Sequence, residues 1–223
     1  MFRNLFALIT GVLLITPMAL AQERPTELFL GYSNLQSEGL PEHNAPGGLF
    51  DTDFFRSRST LHGGNVSLSG FGESGLGLTG DFSFARQKRT SGQLSRETRT
   101  NYFLLGPTVK WNRGGATRIE PFVRIMAGAA HTHFEASSRL ESSSGTFTRS
   151  FDAGATDFAA SVGGGFDLRL AGNVKLRLLQ VDYAPVFFRD RSIEILSDTG
   201  AIQPAKLTKQ RQDNVRFSFG VVF

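Results

Sequence analysis

The chain has 223 residues, which suits a single domain, and hydrophobic residues make up 40% of it. Its formal net charge is +4 and its basic residues are not clustered, so the composition does not favour a nucleic-acid partner. The sequence contains no cysteine, which excludes disulfide bonds and thiol chemistry.

The beginning of the chain has the pattern of a cleaved secretory signal peptide. Arg3 supplies a positive charge, residues 5–15 are apolar, and residues 19–21 (ALA) form a cleavage site. A transmembrane anchor is disfavoured, because a helix needs about 20 apolar residues to span a bilayer. We therefore expect residues 1–21 to be removed and residues 22–223 to form one exported domain.

Eight segments of that domain alternate between apolar residues and small or polar residues. A period of two places successive side chains on opposite faces of a β-strand. In the clearest case, Leu76, Leu78 and Phe82 alternate with residues such as Thr79 and Asp81. In chain order, the predicted strands are residues 27–34, 64–72, 75–86, 99–111, 118–132, 156–170, 174–188 and 215–223.

The last two segments carry further predictions. In the seventh, Arg177 is at an odd position whereas Gln180 and Asp182 are at even positions. We therefore expect a β-bulge near Leu178–Leu179 that returns the polar residues to one face. The eighth has an apolar residue at every second position and ends on the aromatic residue Phe223.

The connections between the predicted strands alternate in length. Short and long connections that alternate in this way are typical of transmembrane β-barrels, which have short periplasmic turns and long extracellular loops. The short connections are residues 73–74, 112–117 and 171–173, and the long ones are 35–63, 87–98, 133–155 and 189–213.

The face that is not apolar is built largely of glycine, alanine, serine and threonine in its middle. Small residues suit the narrow interior of an eight-stranded barrel. A soluble barrel with an apolar interior is the alternative, but its outer face would need long charged side chains along the whole strand. We therefore predict an all-β fold, an eight-stranded antiparallel up-and-down transmembrane β-barrel, present as a monomer.

The predicted interior also holds charged residues, which balance in sign. Charges in a confined space are costly unless they are paired. They favour a network of salt bridges that fills the barrel, and a selective ion path is the alternative. The acids are Glu27, Asp81, Glu120, Asp167 and Asp182, and the bases are Lys110, Arg124, Arg169, Arg177 and Arg216.

Short motifs follow one another in a specific order along the chain: 31–33 (GYS), 80–83 (GDFS), 106–107 (GP), 120–122 (EPF), 163–165 (GGG), 181–183 (VDY) and the closing Phe223. In this order the sequence resembles the OmpA-type or OmpX-type outer membrane protein β-barrel domain family. The resemblance implies a location in the outer membrane of a Gram-negative bacterium. It also implies that the barrel assembly machinery reads the C-terminal strand. It implies little about activity, because members are anchors, adhesins or small pores.

The four histidines, His43, His62, His131 and His133, are expected in or next to the long connections. His131 and His133 have the spacing that places two side chains on one face of a strand, so with His43 or His62 they are a candidate zinc site. The preferred interpretation is that they are solvated histidines, because the sequence indicates no carboxylate pair nearby. We therefore predict neither a metal site nor a cofactor.

A lipid A-modifying enzyme is a further alternative, because His131, His133, Glu135 and Ser137 lie close together in the sequence. A deacylase needs a serine beside a histidine that a carboxylate orients, and the segment contains no His-x-Ser pair. We therefore predict no catalytic residue and no enzymatic activity.

The predicted function is a structural or surface-interaction role carried by four extracellular loops, and the alternative is a small non-specific diffusion pore. The expected partners are outer-membrane lipids, lipopolysaccharide and an extracellular ligand of unknown identity. Lys88, Arg89 and Arg96 are candidates for contacts with lipopolysaccharide phosphates, although a solvated loop is the preferred interpretation.

Overall fold

The computed structural model describes residues 26–39, 53–113, 117–142, 145–197, 202–208 and 210–223. The predicted signal peptide lies outside these residues. The first elements are β1 (Thr26–Ser37), the short helix α1 (Asp53–Arg56), β2 (Ser59–Phe71), β3 (Leu76–Ser91), β4 (Leu94–Lys110) and β5 (Ile119–Ser142). They are followed by β6 (Gly145–Ala171), β7 (Val174–Tyr183), β8 (Val186–Phe188), β9 (Arg191–Ser197), β10 (Ile202–Leu207), β11 (Gln210–Gln212) and β12 (Val215–Val222).

The strands form an antiparallel sheet that contains a ring of eight strands. β1 to β7 pair in sequence order, β7 also pairs with β12, and β12 pairs with β1. At the seam, the N–H groups of Leu28 and Phe223 each donate to the other residue's carbonyl, at 3.0 and 2.9 Å. A closed ring leaves no unpaired strand edge, which suits an environment without water.

The apolar faces of the strands point outward, as the sequence predicts. Ile125, Phe103 and Leu105 are 64%, 58% and 58% exposed, whereas Asp81 and Ser83 are buried. This is the reverse of a soluble barrel, in which the apolar side chains fill the interior. The fold is therefore an all-β barrel with an apolar outer surface. No helix among the described residues is long and apolar enough to cross a membrane.

The predicted bulge in β7 is confirmed. Ser218 pairs with Gln180 but Gly220 pairs with Arg177, so one residue of β12 faces two residues of β7. The neighbouring strand β6 shows the same shift. Leu178 and Leu179 consequently both point outward, and the polar residues on either side of them face the interior.

Two of the predicted long loops are instead extended β-hairpins. β3 and β4 pair as far as Ser91 and Leu94, and β5 and β6 pair as far as Ser142 and Gly145. Backbone hydrogen bonding continues there after the apolar alternation has ended, which corrects the predicted loops 87–98 and 133–155. Alternation of apolar and polar residues shows only that the two faces of a strand have different surroundings. It does not show where the strand stops pairing with its neighbour.

The fourth predicted long connection also contains strands. β9, β10 and β11 lie within it, whereas β8 is the end of the predicted strand 174–188 and follows β7 after a break at Ala184. β11 leads into β12 after a break at Asn214. The two breaks face each other, because the Ala184 N–H donates to the Asn214 carbonyl at 2.8 Å. β9 and β10 form a further hairpin at this end, and β9 also pairs with β6.

The described short connections lie at the opposite end of the ring. The β2–β3 turn is closed by a hydrogen bond of 3.2 Å from the Gly75 N–H to the Gly72 carbonyl. Gly75 has a φ of 80°, a conformation that residues with a side chain rarely adopt. We call this the turn end of the barrel and the opposite one the hairpin end.

Candidate functional site: the barrel interior and the hairpin end

The middle of the interior is filled by two arginines and two aspartates, which we call the arginine–aspartate square. Arg124 contacts Asp81 at 3.0 Å and Asp182 at 2.7 Å, and Arg216 contacts the same two carboxylates at 2.8 and 3.0 Å. All four side chains are buried. The strands bring them together from β3, β5, β7 and β12, so positive and negative groups alternate around a neutral square.

Neutral side chains complete the hydrogen bonding of the square. The amide of Asn65 donates to Asp81 at 3.0 Å, and the amide of Gln180 donates to Asp182 at 2.7 Å. Arg216 also donates to the hydroxyl of Ser83 at 2.5 Å. Buried charges are tolerated when such partners satisfy their remaining hydrogen-bonding groups.

A second group of charges lies nearer the turn end, and we call it the turn-end cluster. Lys110 contacts Glu27, and it also contacts Asp167 at 2.6 Å. Lys175 bridges Glu27 and Glu120, at 2.6 Å to each carboxylate. The members of the cluster are Glu27, Lys110, Glu120, Asp167, Arg169, Lys175 and Arg177.

Arg177 connects the two charged groups. Its guanidinium donates to Asp167 at 2.8 Å and to the side-chain oxygen of Gln180, which contacts the square, at 2.7 Å. The same guanidinium lies 4.3 Å from the ring centroids of both Phe29 and Phe122. The two aromatic rings therefore hold the planar, positively charged guanidinium on both sides in a buried position.

The paired interior confirms the charged residues expected from the sequence and adds Lys175 to the turn-end cluster. All ten predicted charges make contacts in the interior, although Arg169 is partly exposed at the turn end. Lys175 was missed because it lies at the start of β7, before the bulge, where the strand parity is ambiguous. Its odd position, shared with Arg177, was the available signal.

The hairpin end of the interior is closed by apolar side chains. Helix α1 places Phe55 inside the mouth of the barrel, where it is 0% exposed, and Leu35 and Leu61 pack in the same cluster. Arg96 holds the helix, because its guanidinium donates to the Phe55 carbonyl at 2.6 Å. Beneath this layer, Tyr102 donates a hydrogen bond of 3.1 Å to the Ala184 carbonyl.

The three basic residues predicted to contact lipopolysaccharide do not form one patch. Arg96 is 2% exposed and points into the mouth, which corrects its placement in a solvated loop. Arg89 lies over the ring of Phe54, with 5.4 Å between the guanidinium carbon and the ring centroid. Lys88 alone is on the outer face, beside Glu97 of the neighbouring strand.

The outer face of the hairpin end carries a set of charges beyond the apolar band. Glu97 contacts Arg86 at 3.0 Å and Arg99 at 2.5 Å. The hydrogen bond from Arg99 is the main reason that the pKa of Glu97 lies below its usual value, and the charges of Arg86 and Lys88 act in the same direction. Glu97 is therefore a carboxylate at neutral pH.

The three described histidines lie on strands rather than in loops, and they do not come together as a group. His62 is on β2 and contacts the hydroxyl of Tyr32. His131 lies 2.9 Å from the hydroxyl of Thr156, and His133 contacts Glu135 at 3.0 Å and Asp152 at 3.5 Å. The expectation that no carboxylate pair lies near the histidines was therefore wrong. His43 lies outside the described residues.

Ser137, the candidate nucleophile, pairs in register with Ser150 of β6. The Nε2 atom of His133 is directed at Glu135 and Asp152. The arrangement therefore gives no support to a serine–histidine–carboxylate relay. The absence of catalytic residues stays a prediction.

Comparison with known proteins agrees with this architecture. No family model and no curated protein matches the chain. Solved structures do match it. A major outer membrane protein from Thermus thermophilus has a TM-score of 0.52 and 12% identity, with 88% of this chain and 98% of that chain covered.

Two further structures have similar scores. The outer membrane protease OmpT from Escherichia coli has a TM-score of 0.51 and 9% identity, with 91% of this chain and 97% of that chain covered. The outer membrane protein OprG from Pseudomonas aeruginosa has a TM-score of 0.50 and 8% identity, with 88% and 93% covered. At these identities the similarity shows the fold, which is that of bacterial outer-membrane β-barrels.

Proposed function

We propose that the protein is an eight-stranded up-and-down barrel of the bacterial outer membrane, closed in its interior, with a structural or surface-interaction role at its hairpin end. The OmpA-type or OmpX-type resemblance of the sequence and the outward apolar band support this assignment. On β5 the outward apolar residues run from Ile119 to Ala129. A rise of about 3.4 Å per residue and a tilt of about 40° give a height of about 26 Å, near the usual height of such a band.

The proposal of a closed interior rests on the burial of the charged side chains in the middle of the barrel. Asp167, Gln180, Asp182 and Ser218 are each 0% exposed, and Arg216 is 1% exposed. A continuous path wide enough for water would leave such side chains accessible to a water molecule. The burial therefore favours a filled barrel over the alternative of a small diffusion pore.

A closed barrel leaves the hairpin end as the part of the molecule that can meet other molecules outside the cell. β3–β4, β5–β6 and β9–β10 extend beyond the apolar band, and the described outer faces of the first two hairpins are polar. We propose that an extracellular ligand and lipopolysaccharide bind there. We also propose that the assembly machinery recognises β12 and Phe223. A third proposal is that the barrel is a monomer. We propose no enzymatic activity, and lipid A with an altered acyl pattern in producing cells would overturn that.

The location and orientation can be tested with single cysteines, because the chain contains none of its own. Thr90→Cys is exposed near the tip of the β3–β4 hairpin, and Ser74→Cys is exposed in a turn at the other end. On intact cells, a membrane-impermeant maleimide should label Thr90→Cys and should label Ser74→Cys only after permeabilisation. Labelling of Ser74→Cys alone on intact cells would contradict the orientation, and the absence of both variants from the outer-membrane fraction would contradict the location.

A further inference from the structure

We propose that His133, Glu135 and Asp152 bind a divalent zinc-type cation on the outer face of the β5–β6 hairpin. The Nε2 atom of His133 is 3.0 Å from the Glu135 Oε1 atom and 3.5 Å from the Asp152 Oδ1 atom. The three ligand atoms all lie within 4.8 Å of one another. In a tetrahedral zinc site with bonds of about 2.0–2.1 Å, neighbouring ligand atoms are about 3.3 Å apart. The distances of 3.0 and 3.5 Å bracket this value.

The geometry of β5 and β6 brings the three proposed ligands together. His133 and Glu135 are two residues apart on β5, so they share its outer face. Asp152 lies directly opposite Glu135 on β6, and residues that face each other across a ladder have Cβ atoms about 5 Å apart. The site is therefore built on two paired strands, which hold its parts more firmly than a loop would.

Gly154 provides the space for the imidazole of His133, which it faces across the ladder. A Cβ atom at this position would lie 3.2 Å from the Nδ1 atom of His133, closer than ordinary side-chain packing. The absence of a side chain allows the ring to lie over β6 with Nε2 directed toward the carboxylates. The same strand pair therefore supplies two ligand oxygens and the space for the ligand nitrogen.

Carboxylates and basic side chains both surround the proposed ligands. Glu97, Glu135 and Asp152 lie side by side on three neighbouring strands, and like charges directly opposite one another are destabilising. Glu97 is neutralised by Arg86 and Arg99, as described above. Among the described residues, the ion pairs of Glu135 and Asp152 go to the imidazole of His133. Arg99 faces His133 across β4 and β5 and also acts electrostatically on both carboxylates. The proposed site therefore rests on the geometry of its three ligands and not on an excess of negative charge.

The ligand set selects the type of metal. One imidazole nitrogen with two carboxylate oxygens suits zinc, whereas calcium and magnesium prefer oxygen ligands alone. The three carboxylates line an open cleft of about 330 Å³, which leaves room for a water molecule as the fourth ligand. The sequence indicated solvated histidines because it does not show the register of β5 and β6, which brings Asp152 beside Glu135 and His133.

Calorimetric titration of the folded barrel in detergent micelles with zinc chloride, without a histidine tag, tests the proposal. The wild type should bind one equivalent with micromolar affinity, and His133→Gln should weaken binding at least about tenfold. Cobalt chloride should give the visible absorption of a four-coordinate site in the wild type and not in His133→Gln. Glu135→Gln and Asp152→Asn, which change partly or largely exposed side chains, should each weaken zinc binding without affecting folding.

His62→Gln is the matched control, because it removes an outward histidine on β2 that lies outside the cluster. Its zinc affinity should stay within about twofold of the wild type, since the three ligands are untouched. Migration of unheated and boiled samples on gels verifies that each variant is folded. No binding heat in the wild type, or equal affinity in the wild type and His133→Gln, would overturn the proposal.

Discussion

Arg177 shows at the scale of one residue how the interior is assembled. Its guanidinium is held between two phenylalanine rings, bonds to Asp167 of the turn-end cluster, and contacts Gln180 beside the square. Its interior position depends on the bulge at Leu178–Leu179, which shifts the parity of the strand. The alternating positions of the polar residues made this bulge predictable, but the aromatic partners come from other strands and were not evident in the sequence.

The arginine–aspartate square should contribute strongly to stability. Arg216→Met leaves Asp81 and Asp182 with one guanidinium between them, so we expect the free energy of unfolding to fall by about 3–5 kcal/mol. Urea unfolding in lipid vesicles can be followed by the fluorescence of Trp111, the single tryptophan of the chain.

Two further variants make this measurement specific. Lys88→Met changes an exposed charge on the outer face and should shift stability by no more than about 0.5 kcal/mol. Adding Asp81→Asn to Arg216→Met removes an uncompensated carboxylate, so the double variant should lose less than the sum of the single losses. If Arg216→Met unfolds at the same urea concentration as the wild type, the square does not stabilise the barrel.

At the scale of the strands, the sequence predicted the segments with an apolar outer face better than it predicted the strand ends. The predicted ends of β3 and β5, near residues 86 and 132, mark where the outer face changes from apolar to polar. Beyond that point the outer face is polar, and on β5 the inner face carries Phe134 and Ala136 of the apolar cluster in the mouth. The outward apolar pattern therefore ends although backbone pairing continues. Helix α1 was also missed, because it is one turn long and is stabilised by its burial in the barrel mouth.

Close contact between β4 and β5 depends on Gly106. A Cβ atom at this buried position would overlap the carbonyl oxygen of Ile125 and lie 2.7 Å from the Met126 Cα atom. We expect Gly106→Ala to destabilise the barrel by about 1–3 kcal/mol, because backbone atoms must move to admit the methyl group. Urea unfolding in vesicles measures the loss.

Gly70→Ala is the matched control for this prediction. It adds the same methyl group to an outward position of β2 where no atom lies within 4 Å of the added Cβ. Its stability should lie within about 0.5 kcal/mol of the wild type. Equal stability of the two alanine variants would show that the strands at Gly106 are not packed as closely as described.

At the scale of the whole molecule, the sequence predicted the eight ring strands, the outward apolar face and the paired interior charges. These features follow from whether a residue occupies an odd or an even position along its strand, which is a local property of the sequence. Parity could not show which carboxylate pairs with which base, or that Glu135 and Asp152 meet beside His133, because those contacts depend on the register between strands. The closing of the mouth by Phe55 likewise depends on a long-range contact.

The conductance of the purified barrel in planar lipid bilayers shows whether paired charges close the barrel interior. Because the side chains of the square and the residues around it are inaccessible to water, the wild-type protein should give no steady channel current. Folding of the same preparation is verified by the heat-dependent migration of the barrel on gels. A steady conductance on the nanosiemens scale from the wild type would contradict the closed interior.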